Sequence, residues 1–135
     1  MQGNYKIGDF FELKRVFTYS DVIKFSELSS DFNPIHLDAS AASKSIFGKP
    51  IVHGMLVASL FSSIIANHLP GPGSIYLHQS LDFKMPVYHD EMVTAKVEIT
   101  YLKPEKSIFE LQTLCFNNSG KIVIEGKAII LNKSL

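Results

Sequence analysis

The chain has 135 residues, enough for one domain to bury a core without staples. Lysine plus arginine (13) equals aspartate plus glutamate (13), so there is no electrostatic footprint for nucleic acid or an anionic membrane surface. The lone cysteine, Cys115, excludes a disulfide framework and a thiolate metal cluster and reads as a small core residue.

The first residues, MQGNYKIGDFFEL, lack a basic segment followed by an apolar run, so no export signal is expected and the cytoplasm is the default location. Phe10 to Thr18 reads as a strand, with Phe11, Leu13 and Phe17 on one face and Phe10 and Val16 on the other. Thr18 with Asp21 forms a capping box that opens a helix to Ser29, and Val22, Phe25 and Leu28 recur at helical spacing on its inner face. Pro34 pushes Asn33 into an extended conformation, which predicts a loop from Ser30 to Leu37. Asp38 suits the N-cap of a short helix through Ser45, and Phe47 to Pro50 is a turn.

The stretch that organises the rest is Gly54 to His68, a helix with Met55, Leu56, Val57, Leu60, Phe61, Ile64 and Ile65 spread over every face. No Asp, Glu, Lys or Arg occurs from Ile51 through Leu81. The apolar run falls short of the ~20 residues a membrane span needs and is broken by serines, so the helix is expected at the centre of a core. Beyond Gly73 the period becomes two. Strands are predicted at Ser74 to Lys84, Met92 to Tyr101, Ile108 to Phe116 and Lys121 to Leu131, with Val93, Ala95, Val97, Ile99 and Tyr101 sharing a face. Four strands joined by turns predict an antiparallel meander, with Phe10 to Thr18 as a fifth member. One apolar helix and one curved sheet give an α+β layer, in a single domain spanning residues 1–135. A surface with no net charge is often partly buried in an oligomer.

Chemistry concentrates in the loop SDFNPIHLD. Asp31 and His36, separated by a rigid proline, cannot share a helix face, but a tight loop can bring their tips together. Such a pair suits the addition of water to a double bond, one group taking a proton from water and a neighbour supplying one to carbon. The same residue types also suit a turn cap and a backbone-bonded histidine. His53-Gly54-Met55 opens the central helix, where amide N–H groups lack internal partners and carry the positive end of the dipole. Gly54 can offer its N–H to a thioester oxygen as it becomes enolate-like, or can simply permit close packing. His53 reads as a hydrogen-bonded structural histidine.

FSELSSDFNPIHLD followed by FGKPIVHGMLVASLF resembles the MaoC-like hydratases, specifically the (R)-specific enoyl-CoA hydratases of the hot-dog fold. The likeness continues through LPGPGSIYLHQSLDFKMPVYHDEMVTAKVEIT. Two departures stand out: Ser30 replaces the usual glycine before the aspartate, and His89-Asp90 replaces a glycine-aspartate turn. The resemblance implies a long buried helix wrapped by a curved antiparallel sheet, and reversible hydration of a trans-2-enoyl-CoA to an (R)-3-hydroxyacyl-CoA. It assigns Asp31 and His36 to the water and Gly54 N–H to the thioester oxygen. Ser62, Ile65 and Ile130 match substrate-site positions, the two isoleucines at the end of the acyl pocket. It also implies a homodimer with one continuous sheet and the site at its seam. Dehydratases of this fold that act on carrier proteins place a carboxylate on the central helix, and Gly54 to His68 has none. By residue type Asp31, His36, Asp38 and His53 could ligate a metal. Hydration needs no cation, so neither a metal nor a cofactor is expected beyond the coenzyme A of the substrate.

Overall fold

The capping box forms as predicted in the computed structural model, which describes residues 4–134. Residues 1–3 and 135, part of the N-terminal stretch and of the single-domain span, lie outside the described residues. Strand β1 (Phe10–Val16) leads into helix α1 (Tyr19–Ser29), where Thr18 Oγ accepts the Asp21 N–H and the Asp21 carboxylate accepts the Thr18 N–H. Val22 and Ser26 are buried and Phe25 half-buried, whereas Leu28, predicted on this face, is 88% exposed. At 100° per residue Leu28 lies about 120° from Val22, and Ser26 fills the inward position instead.

Helices α2 (Pro34–Leu37) and α3 (Ala39–Ser43) follow, and Asp38 caps α3 by accepting the Ser40 and Ala41 N–H groups. The central helix, α4, spans Gly54–Asn67. Val57, Leu60, Phe61, Ile64 and Ile65 are buried, and the helix packs on three strands of the sheet, β1, β4 (Met92–Lys103) and β5 (Ile108–Phe116). Burying each of these large side chains stabilises the fold by about 1.5–3 kcal/mol. The expected wrapping on all sides is not complete, because Met55, Ser59, Ser62 and Ala66 form an exposed stripe along α4. Beyond Met55 that stripe is small or polar, so its contact with water costs little.

The sheet is antiparallel in the order β1-β4-β5-β6-β2, where β6 is Ile122–Leu131 and β2 is Ile75–Gln79. The short strand β3 (Asp82–Phe83) also pairs with β6. The predicted four-strand meander is therefore corrected. Strands β4, β5 and β6 do follow one another, but β2 joins the far side of β6 and β1 takes the place beside β4. Residues 84–91 do not make a hairpin. They return along the chain that precedes α4, with Val52 N–H donating to Val87 O at 2.7 Å and a bridge between Ile51 and Tyr88.

The strand expected from Ser74 to Lys84 is split. Ser80 carbonyl folds onto Gly126, where a Cβ would meet it at 1.9 Å, and Ser80 Oγ accepts the Lys127 N–H. On β4, Val93, Ala95, Val97 and Ile99 are fully buried, but a register shift between Ile99 and Tyr101 turns the half-exposed Tyr101 off that face. An apolar helix held in the concavity of one antiparallel sheet is the hot-dog arrangement.

Candidate active site

The Asp31 loop begins where α1 ends, at Ser30 with φ +65°, a left-handed conformation that favours glycine. Asp31 N–H donates to Ser29 Oγ, and the exposed Asp31 carboxylate accepts the Asn33 N–H on Oδ1 at 3.1 Å. One carboxylate oxygen has its place set by that turn, and the other is left for a ligand.

Pro34 does not end helical structure, as the sequence reading expected; it begins α2. A proline at the first helical position loses nothing, since that N–H has no intrahelical partner. Asn33 is extended, as expected, but it acts as the cap, its Oδ1 accepting the Ile35 N–H at 3.3 Å. The single turn of helix carries His36 inward to 6% exposure. There its Nδ1 lies 2.9 Å from the carbonyl of Ile51. A carbonyl only accepts, so Nδ1 carries the proton and Nε2 of the neutral ring is a bare lone pair.

His53 lies directly under this ring. The two imidazoles are stacked with centroids 3.8 Å apart and planes 27° apart. Phe25 of α1 meets the His53 ring at 4.8 Å. A carboxylate oxygen of Asp31 and one ring nitrogen each of His36 and His53 lie within 4.8 Å of one another. One water can accept or donate hydrogen bonds to atoms up to about 5.6 Å apart, twice a normal bond length. Asp31 and His36 therefore meet the distance that sharing a water requires. Asp38, which residue type alone grouped with them, is committed to capping α3.

Gly54 follows His53 and opens α4, and its N–H has no hydrogen-bond partner among the described residues. The ring of Phe83 from β3 packs over it. Beside Gly54 lies a largely apolar cavity of about 360 Å³, bordered by Phe47, Val57, Phe83, Met85 and Ile124. Neither Asp31 nor His36 borders it.

The remaining site candidates sit elsewhere. Ser62 is on the exposed stripe of α4. Ile65 and Ile130 are fully buried in the core and do not border the cavity beside Gly54. Sequence reasoning missed Ser26, Phe25 and Phe83. Ser26 was open to discovery as the residue one turn beyond Val22, but a serine carries no apolar signal. Phe83 reaches Gly54 only through the break between β2 and β3. Cys115 is buried, and burial pushes its thiol up to about 12, which leaves it inert.

Comparison with known proteins agrees with this geometry. The MaoC like domain family matches residues 8–113. The (R)-specific enoyl-CoA hydratase of Aeromonas caviae is 46% identical over 125 residues, 93% of this chain and 93% of that protein. The 3-hydroxyacyl-[acyl-carrier-protein] dehydratase FERN, mitochondrial, of Solanum lycopersicum is 42% identical over 132 residues, 96% of this chain and 79% of that protein. Among solved structures, the (R)-hydratase from A. caviae involved in PHA biosynthesis superposes with a TM-score of 0.93 at 45% identity, covering 96% of this chain and 98% of that one. With the family matched over most of its length and a relative matched nearly end to end, this chain belongs to the MaoC-like domain family.

Proposed function

We propose that this chain is a hydro-lyase that adds water reversibly to a trans-2-enoyl-CoA and yields an (R)-3-hydroxyacyl-CoA. The observation that carries the reading is the meeting of the Asp31 carboxylate and the His36 ring within reach of one water, together with His53, which immediately precedes Gly54 and its unpartnered N–H. The names of the A. caviae relative and of its solved structure support the same reaction and the same hand.

In this mechanism water donates one hydrogen to Asp31 and the other to Nε2 of His36. Asp31 takes its proton as the water oxygen bonds to C3. The C2=C3 electron pair shifts toward the thioester carbonyl, and its oxygen is held by the Gly54 N–H at the positive end of α4. The pair then returns one proton to C2, so that H and OH of a single water have been added. Either Asp31 or His36 can hold the travelling proton. No step calls for a metal or a further cofactor, and a chelator is expected to leave the rate unchanged.

Coenzyme A is the carrier we assign, on the A. caviae relative and the lack of any carboxylate on α4. The tomato relative is named for a carrier-protein substrate, so both thioesters belong in the assay. Ser62 is assigned to the substrate site, and Ile65 and Ile130 to the acyl end. The two isoleucines are bulky, branched core residues, which favours short chains. We further assign a homodimer through the outer edge of β2, where Ile75 and Leu77 are 55% and 54% exposed. An open apolar edge strand is a pairing surface unless covered. The cytoplasm is the compartment we assign. No helix among the described residues is long and apolar enough to cross a membrane.

The test follows the enoyl-thioester absorbance band with crotonyl-CoA, runs a thiol reagent in parallel, and determines the product's chirality. Loss of the band without thiol release, giving the (R)-alcohol, is the expected result. Thiol release at the same rate would make the protein a thioesterase.

A further inference from the structure

We propose that His53 is a positioning residue for the reaction, holding the Asp31 backbone and the His36 ring in one fixed arrangement; this rests on the hydration reading above. His53 is 2% exposed and touches both Asp31 and His36. Its Nε2 lies 3.3 Å from the backbone carbonyl of Asp31 and 3.0 Å from Ser26 Oγ. A carbonyl can only accept, so the proton sits on Nε2 and ties the Asp31 backbone to the residue that precedes Gly54. The ring face stacks on His36, and Phe25 meets the ring in an edge-type contact. One side chain thus links the base, the second histidine, the helix α1 and the mouth of α4.

Two features separate this from an ordinary buried histidine. With the proton on Nε2, Nδ1 is left buried and without a hydrogen-bond partner among the described residues. A purely structural position would favour a ring without that orphaned atom, since an unpaired buried polar group destabilises the fold. Burial, and then the neighbouring His36, hold the His53 pKa below the usual imidazole value. The ring that is kept neutral is also the one that orients the other two groups.

Two substitutions split the role. His53→Phe keeps a ring against His36 and removes the Nε2 donor. His53→Gln places an amide donor near the position of Nε2 and removes the ring. His53→Phe is expected to lower kcat for crotonyl-CoA by about 10–100-fold, the scale of a misplaced catalytic group, with KM within about twofold. Its melting temperature should change by only a few degrees, because the orphaned Nδ1 goes together with the Nε2 bonds to Ser26 and Asp31. His53→Gln is expected to recover kcat to within a few-fold. If the unaltered chain hydrates crotonyl-CoA and His53→Phe keeps kcat within twofold, the positioning role is wrong. It is equally wrong if kcat falls only in step with melting temperature, or if His53→Gln is as slow as His53→Phe. An unaltered chain that does not hydrate the substrate overturns the proposed function, and this assignment with it.

Discussion

Phe83 rests on Gly54: a Cβ added at Gly54 would lie 2.6 Å from both Cδ1 and Cε1 of the Phe83 ring. The first turn of α4 is therefore roofed by an aromatic ring that leaves no room for a side chain. Gly54→Ala would push the half-exposed Phe83 ring aside and intrude on the N–H assigned to the thioester oxygen. We expect kcat to fall by about 10²–10³, the range for a lost oxyanion donor. Phe83 is not fully packed and can swing, so the melting temperature should change little. A variant with normal turnover would show that the thioester oxygen is held elsewhere.

Burial lowers the pKa of His53 and of His89. For a histidine this means that the unfolded chain binds protons more readily than the folded one as the pH drops through about 6.5, the ordinary imidazole value. Stability from these two groups is fully present above that value. It is lost progressively as pH falls from there toward the lowered folded values. Melting temperatures measured across this window should fall on acidification, and His53→Phe should show a shallower fall than wild type. A flat wild-type profile between pH 7 and pH 5 would contradict the lowered pKa of both rings.

Ile130 is fully buried in the core and stands at a position assigned to the end of the acyl pocket. Ile130→Ala should cost about 2–5 kcal/mol of stability as a buried truncation. If the acyl assignment is right, it should also raise the relative rate on longer enoyl-CoA substrates. Rates measured from four-carbon to eight-carbon substrates decide the point. A stability loss with an unchanged chain-length profile would leave Ile130 as core alone.

Much of the fold was legible because its signals are local. The capping pair Thr18 and Asp21, the charge-free run that becomes α4, and the alternation of Val93, Ala95, Val97 and Ile99 all act within a few residues. The failures involve partners distant in sequence. Strand β2 pairs with β6 rather than β4, and the break at Ser80 depends on Gly126 making room across the sheet. Pro34 was a local misreading: proline disrupts a helix interior but suits its first position. At the site, the loop motif named Asp31 and His36 and the helix start named Gly54. The supporting contacts of His53 with Ser26 and Asp31 could not be read, because 27 and 22 residues separate those partners in the chain.

The shared-water arrangement is tested most directly by initial rates of crotonyl-CoA hydration for wild type, Asp31→Asn and His36→Gln at equal folded concentration. Loss of a general acid or base typically lowers turnover by ~10²–10⁴, and we predict a fall of that size for each variant with the fold intact. The double variant should be little slower than either single one, because the two groups act on one water. Near-normal hydration by either single variant would contradict the account.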